Sequence, residues 1–282
     1  MLDFRYHALS LVAVFLALGI GIVLGATLGD SVVSQANKDV RSSLHDDVIH
    51  ALAAAHTANA AVSQRDRFDT AAFPYIAGGR LRGRRVAIVS SGPIPQDVEN
   101  SARNAVKDAG GTVDALSRFD AQPDLVALGN KLGKRFQLLG TAPSQLRPLA
   151  RRIGTSLVDG TGPVQRLKAG FPDAFNGDYR GADAVIYYRS ADARDNQAKT
   201  FEAALIEGMR AAAVPVVGVE RTSTDPSQIP EYVNTGISTV DDIDIPPGRI
   251  ALVLTLAGRT GDYGFKKTAQ APIPPAPAGT GG

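Results

Sequence analysis

The chain of 282 residues contains no cysteine, so a disulfide framework, a thiolate metal site and a cysteine nucleophile are all excluded. That absence is compatible with an exported location. Histidine is scarce as well: His7, His45, His50 and His56 are all there are. The whole stretch after residue 56 therefore lacks the usual general base and any Ser–His pair. Charge of one sign is missing too, because a net charge of +2 over the full length gives no strongly basic face and argues against a nucleic-acid partner. Two local absences set the organisation. No charged side chain lies between Ala8 and Gly29, and no Gly or Pro lies between Ser31 and Phe73.

The uncharged run, ALSLVAVFLALGIGIVLGATLG, reaches the roughly 20 residues that a helix needs to cross a hydrocarbon core of about 30 Å. A soluble core helix of this length would carry a polar face, and a cleavable leader would have a shorter apolar core and a better small-x-small exit than Thr27-Leu28-Gly29. The run reads as an uncleaved, single-pass anchor in a lipid bilayer, with residues 1–30 as the anchor unit. Ala13, Ala17, Gly21, Gly25 and Gly29 recur every fourth position, giving a strip of small residues where another backbone can approach, and hence a homo-oligomer. Arg5 and the terminal amine favour a cytoplasmic amino end, which places the globular part outside the cytoplasm. The membrane is either the cell membrane or an outer membrane.

Residues 31–77 read as a helical, coiled-coil-like stalk. Val33, Asn37, Val40, Leu44, Val48, Ala51, Ala55, Asn59 and Val62 follow a period near eleven residues per three turns, a thin seam that pairs with copies of itself or lies back on the globular part. Pro74 is expected to end the helix. His45 and His56 share a face but are about 16 Å apart along the axis, too far for a common metal ion in one chain.

Residues 84–267 read as an α/β domain. Apolar runs at 86–89, 112–116, 184–188 and 214–219 alternate with helical stretches at 96–109, 125–139, 144–153 and 196–213, and a weak strand is expected at 156–158. The overall class is α/β: one amino-terminal transmembrane helix, a long helical stalk, and a Rossmann-like, mostly parallel sheet domain covered on both faces. Residues 250–257 have helical spacing with Asp244 as the cap, although their β-branched content keeps a strand open. The Pro/Gly/Ala-rich 268–282 reads as a disordered tail.

Ligands of such sheets bind at the carboxyl ends of the strands. The candidates there are Ser90, Ser91 and Gly92, Asp159 and Thr161, Arg189 and Ser190, and Glu220 and Arg221. The turn SSGPIP after the first strand is neither a G-x-G-x-x-G fingerprint nor a Walker loop, so no nucleotide, other cofactor or catalytic residue is assigned. Turn formation and helix capping account for these polar residues better than a ligand site does.

The opening Asp3-Phe-Arg-Tyr-His7, the stretches Ser10 to Leu18 and Gly19-Ile-Gly-Ile-Val-Leu-Gly25, and the closing Ile250-Ala-Leu-Val-Leu254 and Tyr263-Gly264 carry a resemblance. They are similar to the actinobacterial copper transporter family typified by the mycobacterial copper transport protein B. The resemblance implies an envelope protein that forms a pore and helps to export copper, with the copper ion as cargo; it maps no metal-binding residue onto this chain. Copper(I) wants Cys or Met and copper(II) wants His, whereas the chain has only Met1 and Met209 and keeps its histidines in or beside the anchor and on the stalk, so a tight copper site is not expected. The sequence also lacks the alternating ten-residue segments of a membrane β-barrel, so a pore would be built from several anchor helices. The second reading is an envelope scaffold whose α/β head binds a protein or wall partner. An enzyme at the strand ends stands third.

Overall fold

The structure is a computed structural model that describes residues 4–136 and 143–275; the side chains of 4, 5, 27–42, 135 and 143 lie outside the description. The chain divides into two units, Met1–Arg65 and Asp66–Gly282. Helix α1 (Phe4–Ile76) carries the apolar run in the first unit. Within it Tyr6–Ala26 is long and apolar enough to cross a membrane, with a mean hydropathy of 2.6. Of the small-residue strip, Ala13, Ala17, Gly21 and Gly25 are exposed; Gly29 lies outside the described side chains, as do Val33, Asn37 and Val40 of the expected seam. The seam residues from Leu44 to Val62 are exposed. Pro74 does not end α1: it sits inside the last turn, and the helix closes at Ile76 with the Ala77 and Gly78 amides donating to Phe73 O. A proline there removes only one backbone donor at the end of the ladder.

The second unit is built on a seven-stranded sheet: β1 (Arg85–Ser91), β2 (Thr112–Phe119), β3 (Phe175–Gly177), β4 (Ala184–Arg189), β5 (Val216–Val219), β6 (Ser238–Val240) and β7 (Asp262–Tyr263). Their spatial order is β3-β2-β1-β4-β5-β6-β7, parallel throughout except for β3, which runs antiparallel to β2. Alternation along the strands divides the core. Ala87, Val89, Val185 and Tyr187 face one side, under α3 (Leu125–Leu132), α4 (Pro143–Asp159), α5 (Pro163–Gly170) and α6 (Asn196–Ala211). Val86, Ile88, Ile186 and Tyr188 face the other, under α2 (Gln96–Asp108) and α8 (Pro246–Leu256) together with Phe73, Ala77 and Leu81. A short helix α7 (Ile229–Asn234) precedes β6. Helices α4 and α6 touch backbone to backbone, since a Cβ on Gly154 would lie 2.0 Å from Leu205 O and one on Gly208 2.0 Å from Arg151 O.

Four local expectations are corrected. The weak strand at 156–158 is the last turn of α4, because Leu146, Leu149, Ala150, Ile153 and Leu157 continue one buried helical face through it. The stretch from 125 stops being α-helix at Leu132, where Gly133 adopts a φ of 113° and a single 3-10 turn follows; 137–139 lie outside the described residues. Residues 246–256 are helical, but Asp244 does not cap them: its Oδ1 accepts from Thr222 N at 2.8 Å and Thr222 Oγ at 3.0 Å. The segment after 267 begins with order, since Ala271 O accepts from Gly264 N at 3.0 Å and Ile273 packs on the core. Residues 276–282 lie outside the description.

Candidate functional site at the carboxyl end of the sheet

From β1 the chain passes to β2 on one side, and from β4 to β5 on the other, so the β1/β4 boundary is the topological switch point where such sheets hold ligands. Ser90, Ser91 and Gly92 stand at the end of β1, Arg189 and Ser190 at the end of β4, and Glu220 and Arg221 just past β5. The sheet therefore brings these candidates to one edge. Asp159 is not among them. It is the exposed last residue of α4, and the neighbouring Val158 O accepts from Ala182 N while Asp183 N donates to Arg85 O, at the amino end of β1 and β4. Thr161 follows it there, so the two lie at the opposite end of the sheet from Ser91.

The crevice at the switch point is occupied by the chain's own cation. The Arg194 side chain is fully buried; its Nη2 donates to Ser91 O at 2.7 Å and its Nη1 to Ser190 O at 2.9 Å and Asp192 O at 2.7 Å. Ser190 presses on the first turn so closely that a Cβ on Gly92 would lie 1.9 Å from its Oγ, leaving room only for glycine. The counter-charge is Glu202, which projects from the buried face of α6 beside Phe201 and Leu205. Its Oε2 is 2.9 Å from Arg194 Nε, an ion pair without hydrogen-bond geometry, and its Oε1 is 2.9 Å from Arg189 Nε. Arg189 in turn donates to Gln228 Oε1, and its backbone N–H donates to the Tyr232 hydroxyl at 2.8 Å. Burial pushes both the Tyr187 and Tyr232 phenols well above their ordinary value, with the Glu202 charge adding to the shift in each case.

Beyond β5 the same pattern repeats. Glu220 is completely buried and accepts from Ser227 Oγ at 2.7 Å, Gln228 N at 2.6 Å and Lys266 Nζ. Asp241, after β6, accepts from the backbone amides of Phe265 and Lys266 at 2.9 and 3.0 Å. Asp242 differs. Both of its oxygens are buried with no partner among the described residues, and burial first, then the charges of Asp241 and Asp244, push its carboxyl up to about 8. It is thus held mostly neutral at pH 7. The Ser90 hydroxyl is likewise buried without a partner.

At this edge Arg189 and Arg194 pair with Glu202, and Lys266 pairs with Glu220. These cations and anions consume one another, and among the described residues no three His, Asp or Glu side chains come together in a metal-holding group. Arg194, Glu202, Gln228, Asp241, Asp242 and Lys266 were not singled out from the sequence. Glu202 had one available signal: an acid in register with Phe201, Leu205 and Met209, on the apolar face of a strongly patterned helix.

Comparison with known proteins agrees with the whole-chain resemblance. The family described as copper transport outer membrane protein, MctB, matches residues 1–274. The copper transporter MctB of Mycobacterium tuberculosis (strain ATCC 25618 / H37Rv) is 25% identical over 303 residues, covering 94% of this chain and 96% of the relative. That of Mycobacterium leprae (strain TN) is 26% identical over 310 residues with the same coverages. A match that runs from the first residue through the apolar helix, the sheet and the closing β7 segment places the chain in the MctB copper transport family.

Proposed function

We propose that the chain is a membrane-anchored envelope component of copper efflux and copper resistance, with the copper ion as cargo and the head outside the cytoplasm. The observation that carries this reading is the family match over residues 1–274, which includes the anchor as well as the head. The cargo would pass between anchor helices of an oligomer packed along Ala13, Ala17, Gly21, Gly25 and Gly29. In the described part of that strip a Cβ on Gly21 or Gly25 meets nothing within 4 Å, so the space beside these residues is free for a second helix. The part of α1 beyond the apolar run would serve as a stalk, its exposed Leu44, Val48, Ile49 and Leu52 giving copies a surface to pair on. The head is read as non-catalytic, with its strand-end charges held in internal ion pairs.

Deleting the gene tests the reading. Cellular copper should rise under copper stress, and the full chain should restore it where a chain beginning at Ser31 does not. Unchanged copper in the deletion strain overturns the proposal. In a planar bilayer the full chain should give discrete conductance steps that the Ser31 version lacks.

One observation favours a second reading, an envelope scaffold. The switch-point crevice is filled by Arg194, so the head's working surface would be its exterior, suited to a protein or wall partner. Silent bilayers from folded protein, together with head-specific crosslinks to an envelope partner, would move the assignment there.

A further inference from the structure

The amino end of the sheet, opposite the Arg194 network, holds a feature that the proposed function does not draw on. A cavity of about 310 Å³ opens at the amino ends of β5 and β6, walled by Val214, Val216 and Ile237 and flanked by Arg210 and Arg259. A second, of about 610 Å³, lies between the end of α1 and the carboxyl end of α8; it is lined by Ile76, Leu254, Ala257 and Ile273 and flanked by Arg259 and Arg80. Gly258 and Arg259 line both, so the two cavities adjoin there, with Arg210 flanking the first and Arg80 the second; the pair is called the trough.

Each of these arginines is exposed, and none has a carboxylate partner among the described residues. Arg80 bonds only to Ile76 O, at 3.4 Å, and Arg210 donates one Nη1 hydrogen bond to Thr235 O at 2.9 Å, leaving the other donors of each fork open. The walls are aliphatic: Ile76, Leu254, Ala257 and Ile273 are packed against the core on one side and only half-buried on the other. Sites of this size that combine an apolar wall with a few fixed polar groups hold small organic ligands. Unpaired guanidinium forks select carboxylate or phosphate.

We propose that this trough binds a single-chain amphiphile with an anionic head, the acyl chain lying along Leu254, Ala257 and Ile273 and the carboxylate or phosphate held by Arg259 with Arg80 or Arg210. Apolar wall and unpaired cations are both needed. A free inorganic anion would leave the aliphatic wall wet, and a neutral hydrocarbon would leave the guanidiniums unused.

The test uses the full-length chain in phosphatidylcholine nanodiscs with a diazirine-bearing palmitate as probe, scored by peptide mapping so that label dissolved in the bilayer around α1 is counted separately. Labelling is expected on peptides containing 254–259 and 273–275. Excess palmitate or lysophosphatidate should suppress it, whereas hexadecyltrimethylammonium, with a similar chain and the opposite charge, should not. Arg259→Gln should cut it about tenfold, as expected for the loss of a charge-assisted hydrogen bond. Arg80→Gln provides a second reading beside the second cavity, and Arg118→Gln, whose guanidinium pairs with Glu99 near the carboxyl end of β2, at the other end of the sheet, should leave labelling unchanged. Label confined to α1, suppression by the cationic amphiphile as strong as by palmitate, or unaltered head labelling in both trough variants would overturn the proposal.

Discussion

Replacing Glu202 by Gln tests whether the carboxyl edge of the sheet is a structural lock. The substitution keeps the shape of the side chain and removes its charge. In the native structure that charge faces Arg194 and Arg189, each with its Nε 2.9 Å away, in a site where the Arg194, Glu202 and Arg189 side chains are 0%, 9% and 11% exposed. Water cannot replace the lost carboxylate there. Removing one partner of a buried pair costs about 3–5 kcal/mol, because the remaining charge stays desolvated. For a unit of this size each kcal/mol lowers the melting midpoint by about 2–4 °C, so a fall of about 10 °C is expected. The assay is thermal unfolding of the full chain in detergent, run as a cycle with Arg194→Met and the double variant. The double should be less destabilised than the sum of the singles by at least about 2 kcal/mol, as for residues in one ion-pair network. A Glu202→Gln midpoint within 2 °C of the parent, or strict additivity, would refute the lock.

Three further outcomes follow from local geometry. Asp242→Asn should stabilise the fold at pH 8 and have almost no effect at pH 3. The folded carboxyl is raised from 3.8 to about 8, so the parent is progressively penalised as pH rises through that window while the amide is not; pH-dependent melts check it. Gly21→Leu meets no neighbouring atom within its own chain, so it should leave the melting midpoint unchanged while lowering crosslinked oligomer and bilayer conductance severalfold. Asp159→Ala, on the exposed end of α4 away from the network, should shift stability by no more than about 0.5 kcal/mol and leave copper resistance intact in a growth assay.

The parts of the head legible in the sequence are those with enough length to show a period. Val86 to Val89, the face of α2, Ala184 to Tyr188 and the long α6 each repeat their pattern several times, and the central parallel sheet follows from them. Elements of two or three residues show no period at all, and so β3, β6 and β7 were invisible: each forms because a neighbouring strand already offers an edge. The error at 156–158 has the opposite cause. Ser-Leu-Val is too short to distinguish strand from helix, and only the spacing back to Leu146 decides it. At the strand ends, the placement of Ser91, Arg189 and Glu220 was readable from topology alone. Their partners were not, because a charge destined for burial looks in sequence like one destined for solvent, and Lys266 reaches Glu220 across 46 positions.

The closed crevice constrains how this fold can work. A parallel sheet with its switch point between β1 and β4 ordinarily leaves the first loop free to cradle a ligand with its backbone amides. Here Gly92 N donates to Phe119 O, Ser91 O is taken by Arg194, and the Ser190 hydroxyl is bonded to Asp192 at 2.8 Å, so these three groups of the first turn and its neighbour are already engaged. The Arg194 guanidinium sits between the ends of β1 and β4, and Glu202 pairs with it from α6. A buried ion pair must break before this crevice can open, which makes opening around a substrate costly. Variants that weaken the Arg194–Glu202 lock should therefore affect copper resistance only in proportion to their loss of folded protein. A variant that abolished resistance while keeping the parent melting midpoint would show that the crevice does chemistry after all.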